Sequence, residues 1–191
     1  MFFIGLPKRI LACLWSIGLG IFLGYTAQAS TVKEVDFSTA VNGSELIFEG
    51  VVTSKRSGIS PTTGQPFTYF TFQIQDVIKG NYPDQTITLG YLGGPKDDRF
   101  LVVTGMKMPE VGESGIYFVE SLSQQLVHPL YGWQQWHLLK YDEDGVAKVK
   151  RVQPPAPPEP PGGSMRSADT VPNPTVSQMK DAIRSQARQP Q

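Results

Sequence analysis

The run Phe67-Thr68-Tyr69-Phe70-Thr71-Phe72-Gln73-Ile74-Gln75-Asp76-Val77-Ile78 alternates side chains with a period of two. In an extended chain Phe70, Phe72 and Ile74 share one face, and Thr71, Gln73 and Gln75 share the other. Only a half-buried β-strand needs that pattern. The run is longer than an ordinary strand, so it predicts a strand that bends to serve two parts of a barrel. Asp76 interrupts the alternation just before Val77 and Ile78, which places a β-bulge there.

The neighbouring sequence reads the same way. In Glu45 to Ser54, Leu46, Phe48 and Val52 share a face, with Gly50 between them. Gln85 to Leu92 puts Ile87, Leu89 and Tyr91 together, and Phe100 to Thr104 and Gly115 to Glu120 are shorter strands. Trp136 to Tyr141 and Val146 to Val152 flank Asp142-Glu143-Asp144-Gly145, whose Asp-Gly pair signals a hairpin. Gly93-Gly94-Pro95 and Pro109 to Glu113 are connections. The segment Lys55 to Pro66, polar and carrying Gly58, Pro61 and Gly64, is expected to be a long hairpin loop. Lys33 to Val41 suits a short helix. The fold class expected is therefore mainly β. It is a small closed OB-like barrel of five to seven strands with a short helix near each end, preferred over an immunoglobulin-like sandwich.

Past Val152 the composition changes. Gln153 to Pro174 holds eight of the sixteen prolines and almost no large apolar side chain, as in an extended solvated spacer; a proline-rich ligand for another module is the lesser alternative. Thr175 and Gln178 then form a capping-box pattern, and Val176, Met179 and Ile183 make one apolar stripe. Residues 175–187 are thus a short C-terminal helix, too weak to stand alone, that docks on the body, binds a partner or frays.

The N-terminus has the form of an export signal. Lys8 and Arg9 precede an apolar run from Ile10 to about Tyr25, which ends at Ala27-Gln28-Ala29, the small-x-small pattern of a cleavage site. The run is short for a membrane span and contains Gly18, Gly20 and Gly24. The expected domains are a signal peptide (1–29), a barrel (30–152), a linker (153–174) and the helix. Ile10-Leu11-Ala12-Cys13 faintly resembles a lipoprotein box, but the apolar run continues past it. Cys13 is the lone cysteine, so a mature chain from Ser30 has no disulfide, thiol nucleophile or cysteine-bound metal. It is expected to be exported, periplasmic or extracellular, with no membrane anchor after cleavage. Its balance, 15 basic against 17 acidic residues once Lys8 and Arg9 are gone, gives no basic footprint for nucleic acid.

Two stretches carry a family resemblance. Glu45-Leu46-Ile47-Phe48-Glu49-Gly50-Val51-Val52 resembles the opening of a group of secreted bacterial proteins of unknown function. Thr68-Tyr69-Phe70-Thr71-Phe72, ending in Val77-Ile78-Lys79-Gly80, resembles their central strand, and Val111-Gly112-Glu113 with Ile116 to Val119 their later one. The resemblance spans about Glu45 to Lys150. It implies a small OB-like barrel, loosely similar to the netrin-like domain of metalloprotease inhibitors. Those inhibitors chelate zinc through an N-terminal cysteine, so that mechanism does not carry over to a cysteine-free chain.

Chemistry-bearing patterns are sparse. His128 and His137 show no metal-ligand spacing, no Ser lies in a nucleophile-elbow motif, and Asp97-Asp98 and Asp142 to Asp144 read as solvated turns. No metal, cofactor or catalytic residue is expected. The stretch Pro129 to His137 concentrates Tyr131, Trp133 and Trp136. The two tryptophans are an odd number apart, so in a strand one faces the core and the other is free. Exposed aromatics beside amides suit peptide or glycan contact; the alternative is that they plug the barrel end. The expected binding residues are Tyr131, Trp133, Trp136 and His137, with Lys55 and Arg56 from the long loop. The function expected is an exported, non-catalytic binding or interaction module for an exported protein or envelope component. Modulation of a secreted metalloprotease is one form of it. Alternatives are a structural envelope protein, or an envelope-polymer hydrolase, which would require a pocket with His128 or His137 beside a carboxylate.

Overall fold

The structure, a computed structural model, describes residues 34–97, 99–152 and 173–189. The export-signal reading and the spacer from 153 to 172 lie outside these residues. Helix α1 (Phe37–Gly43) starts where the Asp36 carboxylate accepts the Thr39 amide at 2.8 Å, with Ser38 and Thr39 hydroxyls also donating to it. Those bonds hold its pKa well below the usual carboxylate range. The helix stops at a cation. Lys79 Nζ donates to the carbonyls of Val41, Asn42 and Ser44 at 2.7, 3.1 and 2.5 Å, groups that a helix end leaves without partners.

Strands β1 (Leu46–Ile59) and β2 (Pro66–Lys79) form a long antiparallel ribbon. Then follow β3 (Thr86–Leu92), a small hairpin of β4 (Gly94–Lys96) and β5 (Arg99–Leu101), β6 (Ser114–Val119), a 3-10 turn (Trp133–Trp136), β7 (His137–Glu143), β8 (Val146–Arg151) and helix α2 (Val176–Ala187). The main sheet has the order β3-β2-β1-β6-β7-β8, antiparallel throughout. Residues Phe100 to Thr104 were expected as a strand of the barrel; only Arg99–Leu101 is strand, and it pairs with β4 apart from the main sheet.

The register of β1 against β2 skips Gln75 and Ile78 on β2 and Thr53 on β1. The bulge expected at Asp76 is therefore a pair of bulges on either side of it. Each added residue exchanges the two faces of the strand. Ile78 and Asp76 consequently join the face covered by the helices, whereas Ile74 and Val77 stay with Phe70 and Phe72 on the other.

Both faces of the first half of β1 are buried, with Leu46, Ile47 and Phe48 fully inaccessible. Ile47, Ile78, Ile116, Phe118, Leu138 and Val149 pack under Ala40 and Val41 of α1 and Val176 and Ile183 of α2. Leu46, Phe48, Val52, Phe70, Phe72, Ile87, Leu89, Tyr91, Tyr117 and Val119 form the other core, joined by Leu130. Phe72 on β2 and Tyr117 on β6 flank β1, a lateral separation of about 9 to 10 Å in a flat sheet. Their rings are 4.7 Å apart, so the sheet curls this face inward.

The sheet does not close as the barrel reading expected. Among the described residues no ladder joins β3 to β8; each edge instead carries a local partner over part of its length. Segment Asn173–Thr175 runs along β8, where Val149 N–H donates to Pro174 O at 3.0 Å and Lys148 bridges Thr175. Asn173 also bonds the Tyr141 hydroxyl, so the last residues assigned to the spacer are held against the sheet. At the other edge, Leu92 N–H donates to Val127 O at 2.9 Å. The β8 edge is thus covered by 173–175, whereas β3 is occupied at its Leu92 end.

The C-terminal helix docks. Its predicted capping box forms in both directions between Thr175 and Gln178. Lys180 pairs with Glu49 and Asp76, Arg184 Nη2 with Asp76 Oδ2 at 2.8 Å, and Lys140 with Glu49 at 2.7 Å. None of the described helices is long and apolar enough to cross a membrane.

Candidate binding groove

The aromatic stretch expected to form a contact surface is mostly interior. Residues Trp133–Trp136 make a 3-10 turn rather than a strand, so the odd spacing does not split the tryptophans across a sheet. Trp136 is 1% exposed. It packs on Phe37 and Phe118, lies under the Arg151 guanidinium at 4.1 Å, and donates Nε1–H to the Val35 carbonyl at 3.0 Å. His137 is buried too, and Tyr131 is half-buried against the Gly43 backbone, where a Cβ would meet its ring at 2.3 Å. Trp133 alone of the four stays open, 39% exposed, stacked on His128 with ring centroids 5.8 Å apart.

Beneath Trp133 the curled core holds polar groups. His137 Nε2 is 2.7 Å from Glu113 Oε1, a contact not aligned as a hydrogen bond. His128 Nδ1 accepts the Leu130 amide at 3.2 Å, and burial pulls the ring's pKa down to about 4. Burial also pushes the Tyr91 and Tyr117 hydroxyls upward, assisted by the charge of Glu113. A histidine therefore does lie beside a carboxylate, as the hydrolase alternative required. The surface cavities described below are lined by other residues. Among the described residues no three His, Cys, Asp or Glu side chains are grouped to hold a metal ion.

The Lys55–Pro66 segment is not a long loop. β1 runs to Ile59 and β2 begins at Pro66, leaving a turn over residues 60–65. Buried Ser60 organises it: its hydroxyl accepts the Thr62 and Thr63 amides and donates to Gln125 Oε1 at 2.5 Å. Lys55 and Arg56 therefore point to opposite faces. Lys55 Nζ lies 5.7 Å from the Phe70 ring of the curled core, and Arg56 5.2 Å from the Tyr69 ring on the outer face. The unbroken polar run Thr53 to Gly58 hid this strand extension, because it carries no apolar alternation.

Arg56 borders a groove of 390 Å³ that runs beside β3. Its floor is Tyr69 and the outer side of Ile87 to Gly90; one wall is Ser121 to Leu126, and Pro61, Thr62 and Tyr82 stand at its ends. Tyr69 is opposite Gly90 in the register, and a Cβ on Gly90 would sit 3.0 Å from its ring. The missing side chain leaves the aromatic edge clear. Gln125 Nε2 donates to the Tyr69 hydroxyl at 3.3 Å and fixes the wall to the floor. The lining carries no charged residue. A larger depression of 830 Å³ is bordered by Val152 and Asn173, which flank residues 153–172, so its outline ends on the described residues.

The chain matches no protein-family model, no curated protein and no solved structure.

Proposed function

We propose that the protein is an exported, non-catalytic binding module, a curled OB-like half-barrel that holds a partner from the envelope or the secreted fraction in the groove beside β3. The observation that carries this is a sheet edge that, among the described residues, has no strand partner along its middle, next to a concave, uncharged, hydroxyl- and amide-lined groove with an aromatic floor. Pockets of this size with a few placed polar groups are where ligands dock, and Tyr is a low-entropy anchor for them. The His137–Glu113 contact is mostly buried and its residues do not line the groove, which favours binding over hydrolysis.

The test is affinity capture from the exported fraction with the full chain, comparing wild type with Tyr69→Ala. Tyr69 is half-buried on an outer face, so the variant should keep its circular dichroism and lose at least most of the captured partner. Equal capture by a folded Tyr69→Ala protein would remove the groove from consideration.

A further inference from the structure

The geometry points to an extended, uncharged peptide segment as the occupant of this groove, bound as an added antiparallel strand on β3; the inference rests on the groove being the binding surface. Main-chain direction alternates along a strand. Gly93 N–H donates to Pro66 O and Ile74 N–H to Gln85 O, so the odd-numbered residues of this region face β2. Leu92 N–H donates away from β2, to Val127 O. Thr86, Thr88 and Gly90 therefore turn their amides and carbonyls to the open edge.

That edge is closed at each end and open in the middle. The Tyr82 hydroxyl donates to Thr86 O at 3.3 Å, and Val127 takes the Leu92 amide. Between them Thr88 and Gly90 present alternating donors and acceptors at the spacing of a β-ladder, and β3 pairs with β2 alone among the described residues. Exposed edges of this kind are templates for another chain, and strand addition takes affinity from the main chain and selectivity from alternate side chains. The selectivity elements here are the Tyr69 ring beside Gly90 and the Thr88 hydroxyl, 3.2 Å from that of Thr71. A charged residue would lose hydration against this lining and gain no counter-charge. Arg56 stands at the rim over Tyr69, outside the lining.

The probe is a displayed library of uncharged heptapeptides selected on the full chain, with neutral glucan and chitin hexasaccharides offered in parallel. Selected peptides should bind wild type, and the same peptides N-methylated at alternate residues should bind at least about tenfold more weakly, since methylation removes the ladder donors. Thr88→Pro should do the same from the protein side, because its missing amide faces the edge and not β2. The N-methyl comparison uses wild-type protein and stands even if the proline variant fails to fold. Equal binding of methylated peptides, or retention of the hexasaccharides alone, overturns strand addition. If Tyr69→Ala abolishes either of those interactions, the groove reading survives; if it leaves them unchanged, both fall.

Discussion

Lys180 Nζ lies 2.9 Å from Asp76 Oδ2 and pairs with Glu49 as well, so one ammonium ties α2 to two strands of the sheet. Glu49 is 7% exposed and Lys180 18%. Burial alone would raise both carboxyls, but the bonds from the neighbouring ammonium and guanidinium groups outweigh it and hold Glu49 and Asp76 below their ordinary values. Removing Lys180 leaves Glu49 with Lys140 and Asp76 with Arg184. Lys180→Met should therefore destabilise the fold by only about 1–2 kcal/mol, measured by urea unfolding. Hydrogen exchange should speed up in α2 before it does in β1. Uniform acceleration across the sheet would show that α2 and the sheet open as one unit.

Acid stability should fall in two stages. His128 is depressed in the fold from 6.5 to about 4, so between those values the unfolded chain binds more protons than the native one. Stability then falls as pH drops through that window, by up to about 3 kcal/mol when complete. Glu49 and Asp76 are depressed as well, so their contribution is present above the ordinary carboxylate range and lost as pH falls below it. Unfolding free energies measured across pH 7 to 4.5 isolate the histidine stage. His128→Gln should flatten that slope, and an unchanged slope would assign the loss to another group.

The strand faces were legible because alternation survives in Phe70, Phe72, Ile87, Leu89 and Tyr91, and the Asp144-Gly145 turn was legible from its residues. Both turn residues take positive φ, 55° and 77°, as a two-residue hairpin requires. Asp76 marked a bulge because a lone carboxylate in an apolar run must leave the core. What local pattern does not encode is which distant group receives it. The partners of Asp76 are more than a hundred positions away, on a helix reached across a proline-rich segment. The same limit explains why two of the residues offered for contact, Trp136 and His137, lie in the interior. Trp136 and His137 have the composition of a contact patch, and only the 3-10 turn and α1 packing over Trp136 reveal them as core. The groove beside β3 was missed because it depends on an absent strand partner and an absent side chain at Gly90. The sole retained element of the expected site on its rim is Arg56.

Gly115 is a close-approach position in the middle of the sheet. A Cβ there would lie 2.3 Å from the Leu138 carbonyl oxygen, in the ladder that joins β6 to β7. Backbone cannot yield as a side chain tip can, so Gly115→Ala should cost about 1–3 kcal/mol through strain. The loss should appear as faster amide exchange at Ile116 and Leu138, with β2–β3 amides unaffected. Gly58, where an added Cβ would have no neighbouring atom within 4 Å, is the matched control and should change stability by less than about 1 kcal/mol when made Ala.

The two tryptophans should separate cleanly by thermodynamics. Trp136 fills the space between α1 and β6 and carries the bond to Val35, so Trp136→Ala removes a full aromatic volume from a closed core and should cost about 3–5 kcal/mol. Trp136→Phe keeps much of the packing and loses the Nε1 donor, leaving the Val35 carbonyl to find water, at about 1–2 kcal/mol. Trp133 covers His128 from outside, and Trp133→Ala should cost no more than about 1.5 kcal/mol. Opening that cover also admits water to the ring of His128, so the apparent pKa of His128, followed by NMR, should rise from about 4 toward 6.5. A Trp133→Ala protein with an unmoved His128 titration would mean that the depression comes from the surrounding core and not from the stacked indole.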